Sequence, residues 1–294
     1  MAPGRPLSRR VRRRRIAALV AGGMIVAVAA AVSVLALRRH PRPAPAIAHP
    51  AAQAPGRQFR IVFPEGFTRA QMAVRVADVA RIAARERHGP VALAEATYLR
   101  ASRAALVPCF GGKRYGDSEG FLFPATYDFL AGTSSRTLVG DQLQAFCERW
   151  STVNLAYARS RDLTPYDVLI IASMIEREAA VASERPLIAA VIYNRLRDGM
   201  QLGIDATLRY GLHIPPASAI TESELESDNP YNTRRFHGLP PTPIANPGLA
   251  SIQAAAHPAR VDYLYYALEP GTRHHFFTAS VSAFDRFLAS HGYK

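Results

Sequence analysis

Apolar and polar positions recur along this chain with different periods, and the periods sort it into segments. From Ile16 to Leu37 run 22 residues without a charge, enough at a rise of about 1.5 Å per residue to cross roughly 30 Å of hydrocarbon. One transmembrane helix is expected over 16–37. Residues 38–57 are rich in Pro and Ala with little to bury, the pattern of a semi-extended stalk. Ordered structure is expected from Phe59, where "FRIVF" reads as a strand and "PEGF" as a turn. Thr68 then caps a helix through about Arg87, with Met72, Val76, Val79, Ala80 and Ala83 at helical spacing. A shorter helix follows from Ala92 to Ala104. The run from Glu119, "EGFLFPATYDFLAGTSS", mixes aromatics with Pro and Gly and is expected to be strand or irregular packing. A helix over about 136–156 comes next. Thr164, Pro165 and Asp167 open another, expected to reach Ala182. Ser183 caps the last of these, with Pro186 in its first turn, an apolar stripe from Leu187 to Leu196, and Gly199 ending it.

The charge changes what this pattern means. The net charge is +13, with a pI near 10.3, which on a folded body would point to nucleic acid. Ten Arg and no acid lie within residues 1–45, leaving 26 basic against 23 acidic residues in the remainder. The basic excess therefore belongs to the flanks of the apolar run and not to a nucleic-acid surface. Seven Arg precede the run and Arg38, Arg39 and Arg42 follow it, so the positive-inside bias predicts a cytoplasmic tail over 1–15 and everything after Leu37 outside the plasma membrane. The run is longer than the roughly 7–15 apolar residues of a cleaved leader, which favours an uncleaved anchor.

Cys109 and Cys147 fall in the part placed outside, where a disulfide and two free thiols are both open. No Cys-x-x-Cys spacing accompanies them, so a redox or metal role is disfavoured.

The stretch "IIASMIEREAAVASERP" sets Glu176, Glu178 and Glu184 among apolar residues. On a helical wheel at about 100° per residue, counted from Val168, the bulky apolar residues from Val168 to Ile175 sum to a direction near about 300°. Glu178 lies at about 280°, Glu176 at about 80° and Arg177 at about 180°. Glu178 is thus expected to point into the apolar face, with Glu176 and Arg177 an ordinary solvated pair. A carboxyl on a buried face is costly unless paired or protonated, and desolvation raises its pKa, the property of a general acid near neutral pH. A structural ion pair with a buried Arg such as Arg195 is the competing reading for Glu178. Helix geometry leaves both open.

The ordered motifs "ASMIEREAAVASER", "VIYNRL", "IDATLRYG", "NPYNTRR", "GLPPTPIANPG", "AAAHPA" and "YLYYAL" resemble those of the membrane-anchored endolytic murein transglycosylases, over roughly residues 59–294. The resemblance implies an α+β fold: an N-terminal membrane helix, a small lysin-motif-like subdomain over 58–110 and a larger catalytic domain over 111–294. It also implies cleavage of peptidoglycan strands between N-acetylmuramic acid and N-acetylglucosamine, without a cofactor. Glu178 matches the catalytic acid of that family. Asn194, Arg195, Asp205, Thr207, Tyr210, Tyr231 and Asn232 match motif positions expected to line a glycan groove. This chain departs from many relatives at Gly203, Ala206, Thr242 and Ala179, which puts details of subsite contacts in question.

By the same resemblance, Glu178 protonates the bridging oxygen and then takes a proton from the C6 hydroxyl of muramic acid as a 1,6-anhydro end forms. Asp205 is the other carboxylate of interest, with turn capping before Thr207 as its plainer reading. Adjacent His274 and His275 on a strand point to opposite faces, which argues against a zinc site; His274, Phe276 and Thr278 match a family element. Tyr263, Tyr265 and Tyr266 read as strand core. Cell-wall synthases are the implied partners, and a non-catalytic peptidoglycan-binding scaffold is the alternative function.

Overall fold

The computed structural model describes residues 57–293, the side chain of Arg114 excepted. The expected membrane helix (16–37), the tail before it and nearly all of the stalk lie outside the described residues. Among the described residues no helix is long and apolar enough to cross a membrane. The described residues lie within one compact unit of mixed helix and sheet.

Strand β1 (Phe59–Val62) leads to helix α1 (Arg69–Arg87), which Thr68 caps through a reciprocal box with Gln71. Met72, Ala73, Val76, Ala80 and Ala83 are the buried stripe of α1, close to the expected face. Helix α2 (Glu95–Ala101) is shorter than expected, because the buried Ser102 turns its hydroxyl back onto the Tyr98 carbonyl at 2.8 Å. A small antiparallel pair follows, β2 (Leu106–Val107) with β3 (Lys113–Arg114).

Strand β4 (Thr126–Phe129) then pairs antiparallel with β1, from Phe59 opposite Phe129 to Val62 opposite Thr126. The strand–helix–helix–strand unit thus closes at Phe129, on the far side of residue 110. Two further ties cross that position: Tyr98 donates to the Gln142 amide oxygen at 2.7 Å, and Cys109 is disulfide-bonded to Cys147.

Helix α3 (Ser135–Trp150) ends before the expected boundary near 156. The hydroxyls of Ser151 and Thr152 bond back to the Glu148 and Arg149 carbonyls, both at 2.7 Å, and compete with helix propagation. One turn later Asn154 accepts from the Ala156 N–H and opens α4 (Ala156–Arg159).

Helix α5 (Pro165–Glu178) is the central element, capped by Thr164 in a box with Asp167 and buried without a break from Val168 to Ile175. It stops at Glu178, four residues short of Ala182, because Ala179 takes an extended backbone (ψ 105°). Helix α6 (Arg185–Arg197) follows a 3₁₀ turn over Ala182–Glu184, with Pro186 in its first turn; no side chain caps it, Ser183 included. Helices α7 (Asp205–Leu212), α8 (Glu222–Leu225) and α9 (Leu249–Ala256) come next, and α9 packs along α5. The described chain ends in a hairpin, β5 (Tyr265–Leu268) with β6 (His275–Thr278), and helix α10 (Val281–Ser290).

Candidate active site

A cleft of about 620 Å³ opens at the C-terminal end of α5. Thr68 to Gln71 at the start of α1, with Asp117 and Glu119, form one part of its lining; Asp205, Ala206, Arg209 and Tyr210 on α7 and His213 to Pro216 beyond it form another. Glu178, the last helical residue of α5, stands in this lining. Its position follows from the local sequence: the capping box fixes where the helix begins, the unbroken apolar run holds the helix in the core, and the turn at Ala179 delivers its last side chain to the cleft.

Burial is the largest influence on Glu178 and raises its pKa above the usual carboxylate value. The Tyr266 hydroxyl, donating to Oε2 at 3.0 Å, opposes this, Asp205 adds like-charge repulsion, and His275 and Arg177 pull the other way. The net direction is upward. The competing ion pair with Arg195 is not formed: that guanidinium donates to the carbonyls of Leu264 (2.6 Å), Leu202 (2.7 Å) and Gln201 (3.3 Å) and lies over the Tyr265 ring.

Glu176 corrects the expectation of a solvated pair. Its side chain is 6% exposed, accepts the Gly248 N–H at 3.0 Å and lies 3.9 Å from the Arg185 guanidinium. The wheel treated its direction as outward, but α9 and the loop before it cover that side of α5. Arg177 is the exposed one of the three and donates to the Gly66 carbonyl at 3.2 Å.

Glu184 is buried, and both adjacent histidines reach it: His275 Nδ1 at 2.6 Å, its backbone N–H at 3.1 Å, and His274 Nδ1 at 3.0 Å. The opposite-face argument does not apply, because His274 precedes β6 and is not part of the strand. Burial works against charge on Glu184, but the hydrogen bonds from His275 and His274 outweigh it and hold its pKa below the ordinary value.

The remaining motif residues separate into two groups. Asp205 and Tyr210 line the cleft with Glu178. Asp205 opens α7 without capping a turn, and its carboxylate is bound by Arg234 at 2.6 and 2.7 Å. Tyr231 stands behind Tyr210, ring centroids 5.2 Å apart, its hydroxyl 2.7 Å from that of Thr242.

Thr207, Asn232, Asn194 and Arg195 are not among the residues lining this cleft, and each is bonded to neighbouring backbone. Thr207 and Asn232 are fully buried; the first bonds to the Ile204 carbonyl and Thr233, the second donates to the Leu225 and Ser227 carbonyls. Asn194 donates to the Val261 and Tyr263 carbonyls, both at 2.9 Å, which with Arg195 docks the chain entering β5 onto α6. Short polar residues spaced along a motif look alike whether they bind sugar or backbone, so only the tertiary partners separate the two.

Two groups, one beside the cleft and one lining it, escape the sequence reading. Tyr266, read as strand core, holds Glu178. Glu119 is 3% exposed and takes the Arg69 N–H on both oxygens (2.9 and 3.1 Å), the Asn246 amide at 2.7 Å and the Tyr210 hydroxyl at 3.3 Å. Burial dominates its titration, and its pKa is pushed up to about 8. The available signal was an acid opening an aromatic run, Glu119 before Phe121, Leu122 and Phe123.

The chain is similar over limited stretches to two proteins named endolytic murein transglycosylase. One, from Bacillus subtilis (strain 168), is 39% identical over 153 residues, 50% of this chain and 41% of that protein. The other, from Streptococcus pneumoniae (strain R6), is 32% identical over 185 residues, 61% of this chain and 33% of that protein. The matched stretches thus span less than half of either relative. A crystal structure titled a putative yceG-like protein of Listeria monocytogenes superposes with a TM-score of 0.62 at 30% identity, over 79% of this chain and 76% of that one. The profile of the YceG-like family matches residues 40–289, and the chain belongs to that family.

Proposed function

We propose that this protein is an endolytic peptidoglycan lytic transglycosylase in which Glu178 is the general acid and then the base. The observation that carries this reading is a carboxyl in the cleft whose pKa burial raises, held by a phenol and without an ion pair among the described residues. Such a group holds its proton more tightly than an exposed carboxyl and can pass it to the oxygen between N-acetylmuramic acid and N-acetylglucosamine as the C1–O bond breaks. Positive charge develops on the sugar in an oxocarbenium-like state. The C6 hydroxyl of the muramoyl residue then bonds to C1 and returns its proton to Glu178. No water is consumed, the product ends in a 1,6-anhydro ring, and the carboxyl is reset. Asp205, occupied by Arg234, is poorly placed to be a second catalytic carboxylate, which favours an internal nucleophile from the sugar. The two relatives named as endolytic murein transglycosylases support the same chemistry.

Glycan strands are the proposed substrate and cell-wall synthases the proposed partners, with cleavage terminating nascent strands. The uncharged run from Ile16 to Leu37 between Arg clusters supports a single-pass plasma-membrane anchor with the enzyme outside. The Cys109–Cys147 disulfide fits an oxidising compartment.

The test is digestion of purified sacculi with the full chain, followed by mass spectrometry. Anhydro ends, one water lighter than reducing ends, are expected, and Glu178→Gln abolishes their release. Reducing ends would identify a hydrolase, and sedimentation with sacculi without soluble product would identify a binding scaffold.

A further inference from the structure

We propose that Tyr266 is a positioning residue for Glu178, its hydroxyl holding one carboxyl oxygen while the Glu184–His275 pair fixes the hairpin that carries it. This inference rests on Glu178 being the acid.

Tyr266 is on β5, with its hydroxyl 3.0 Å from Glu178 Oε2. Burial, and next the neighbouring Glu178 charge, raise its pKa well above the ordinary phenol value, so it stays protonated and donates. A donor spent on Oε2 leaves Oε1 to carry the transferable proton. When that proton has gone, the same hydrogen bond meets a full carboxylate and is stronger, which favours the state formed by proton donation.

The hairpin is registered to the end of α5 from several sides. The His275 ring stands edge-on to Tyr266, with centroids 5.5 Å apart and planes at 84°. His275 is clamped by Glu184 through its ring and its backbone N–H, and Glu184 sits in the turn that follows α5. Arg273 donates to the Ala180 carbonyl at 2.7 Å, tying the hairpin turn to the segment just beyond Glu178. Arg195 holds the start of β5 through the Leu264 carbonyl. Phenol and carboxyl are thus fixed by elements that meet at one corner, and a ring merely filling the core would need no such registration.

Tyr266→Phe keeps the ring and removes the donor. Other charged groups acting on Glu178 are Asp205 from α7, Arg177 from its own helix and His275 from β6, and all three remain in this variant. The expected result is a kcat about 10- to 100-fold lower with little change in KM. The alkaline limb of the pH profile moves to higher pH, since an anion without its donor holds a proton more tightly. His275→Ala, which leaves the hydroxyl but frees the ring, lowers kcat by a smaller factor. If Tyr266→Phe does not fold, 3-fluorotyrosine at 266 is the second probe: a more acidic phenol moves the limb to lower pH. A wild-type kcat and an unmoved limb in Tyr266→Phe, or an unmoved limb with the fluorinated residue, overturn the inference. If Glu178→Gln is inactive in the same assay, only this inference fails; if Glu178→Gln is active, the proposed function itself fails.

Discussion

Glu176 Oε2 accepts the backbone N–H of Gly248 at 3.0 Å, and Gly248 is the residue from which α9 starts. Two residues later on the same helix, Glu178 has a phenol and the cleft for neighbours. One turn of α5 thus carries two carboxylates in different settings: Glu176 fastens the helix that covers α5, and Glu178 faces the cleft.

The first prediction contrasts these two. Glu176→Ala leaves an orphan N–H at the head of α9 and removes the neighbour of Arg185, and is expected to cost about 1–3 kcal/mol of stability. Glu178→Gln removes an acid that burial disfavours, so its melting temperature is expected to equal or exceed that of the native protein. Thermal denaturation of both variants checks this, and a Glu178→Gln protein markedly less stable than Glu176→Ala would contradict it.

The second concerns pH. Glu119 has an ordinary value of 4.5 and a folded value of about 8. Between these, the unfolded chain gives up a proton that the folded protein keeps, so folding takes up a proton and stability falls as pH rises. The contribution is fully present below about pH 4.5 and lost through about pH 8. Denaturant titrations across that window should show a falling slope that Glu119→Gln removes. Equal slopes in the two proteins would show that Glu119 is ionised in the fold.

The Cys109–Cys147 bridge spans 38 residues and joins the 3₁₀ turn before β3 to α3. In the chain-entropy account, a loop of that length contributes about 4 kcal/mol. Replacing both cysteines by serine is expected to lower the melting temperature by roughly 8–16 °C for a unit of this size. Calorimetry under non-reducing conditions provides the measurement, with reductant-treated native protein as the matching control.

Asn232 distinguishes framework from groove. Its buried amide satisfies the Leu225 and Ser227 carbonyls, so Asn232→Leu is expected to lose about 2–4 kcal/mol. In whatever fraction remains folded, KM for glycan strands should be unchanged. A raised KM with native stability would restore this residue to the binding surface.

Much of this molecule could be read along the chain. Thr68 and Thr164 announce α1 and α5, because a hydroxyl before a turn carrying Gln71 or Asp167 satisfies amides that no later contact is needed to supply. The apolar face of α5 and the direction of Glu178 follow from the helical period for the same local reason. What the period could not show is which sides of α5 other elements would cover. Glu176 points away from the apolar average and is still shut in, since α9 arrives there from more than seventy residues further along the chain. Glu119, Tyr266 and the histidines on Glu184 acquire their meaning in the same way, across 50 to 127 residues of sequence. Local hydrogen bonding and side-chain periodicity set the helices and one acid. The burial of the other carboxylates was decided by long-range packing that brings distant donors to them.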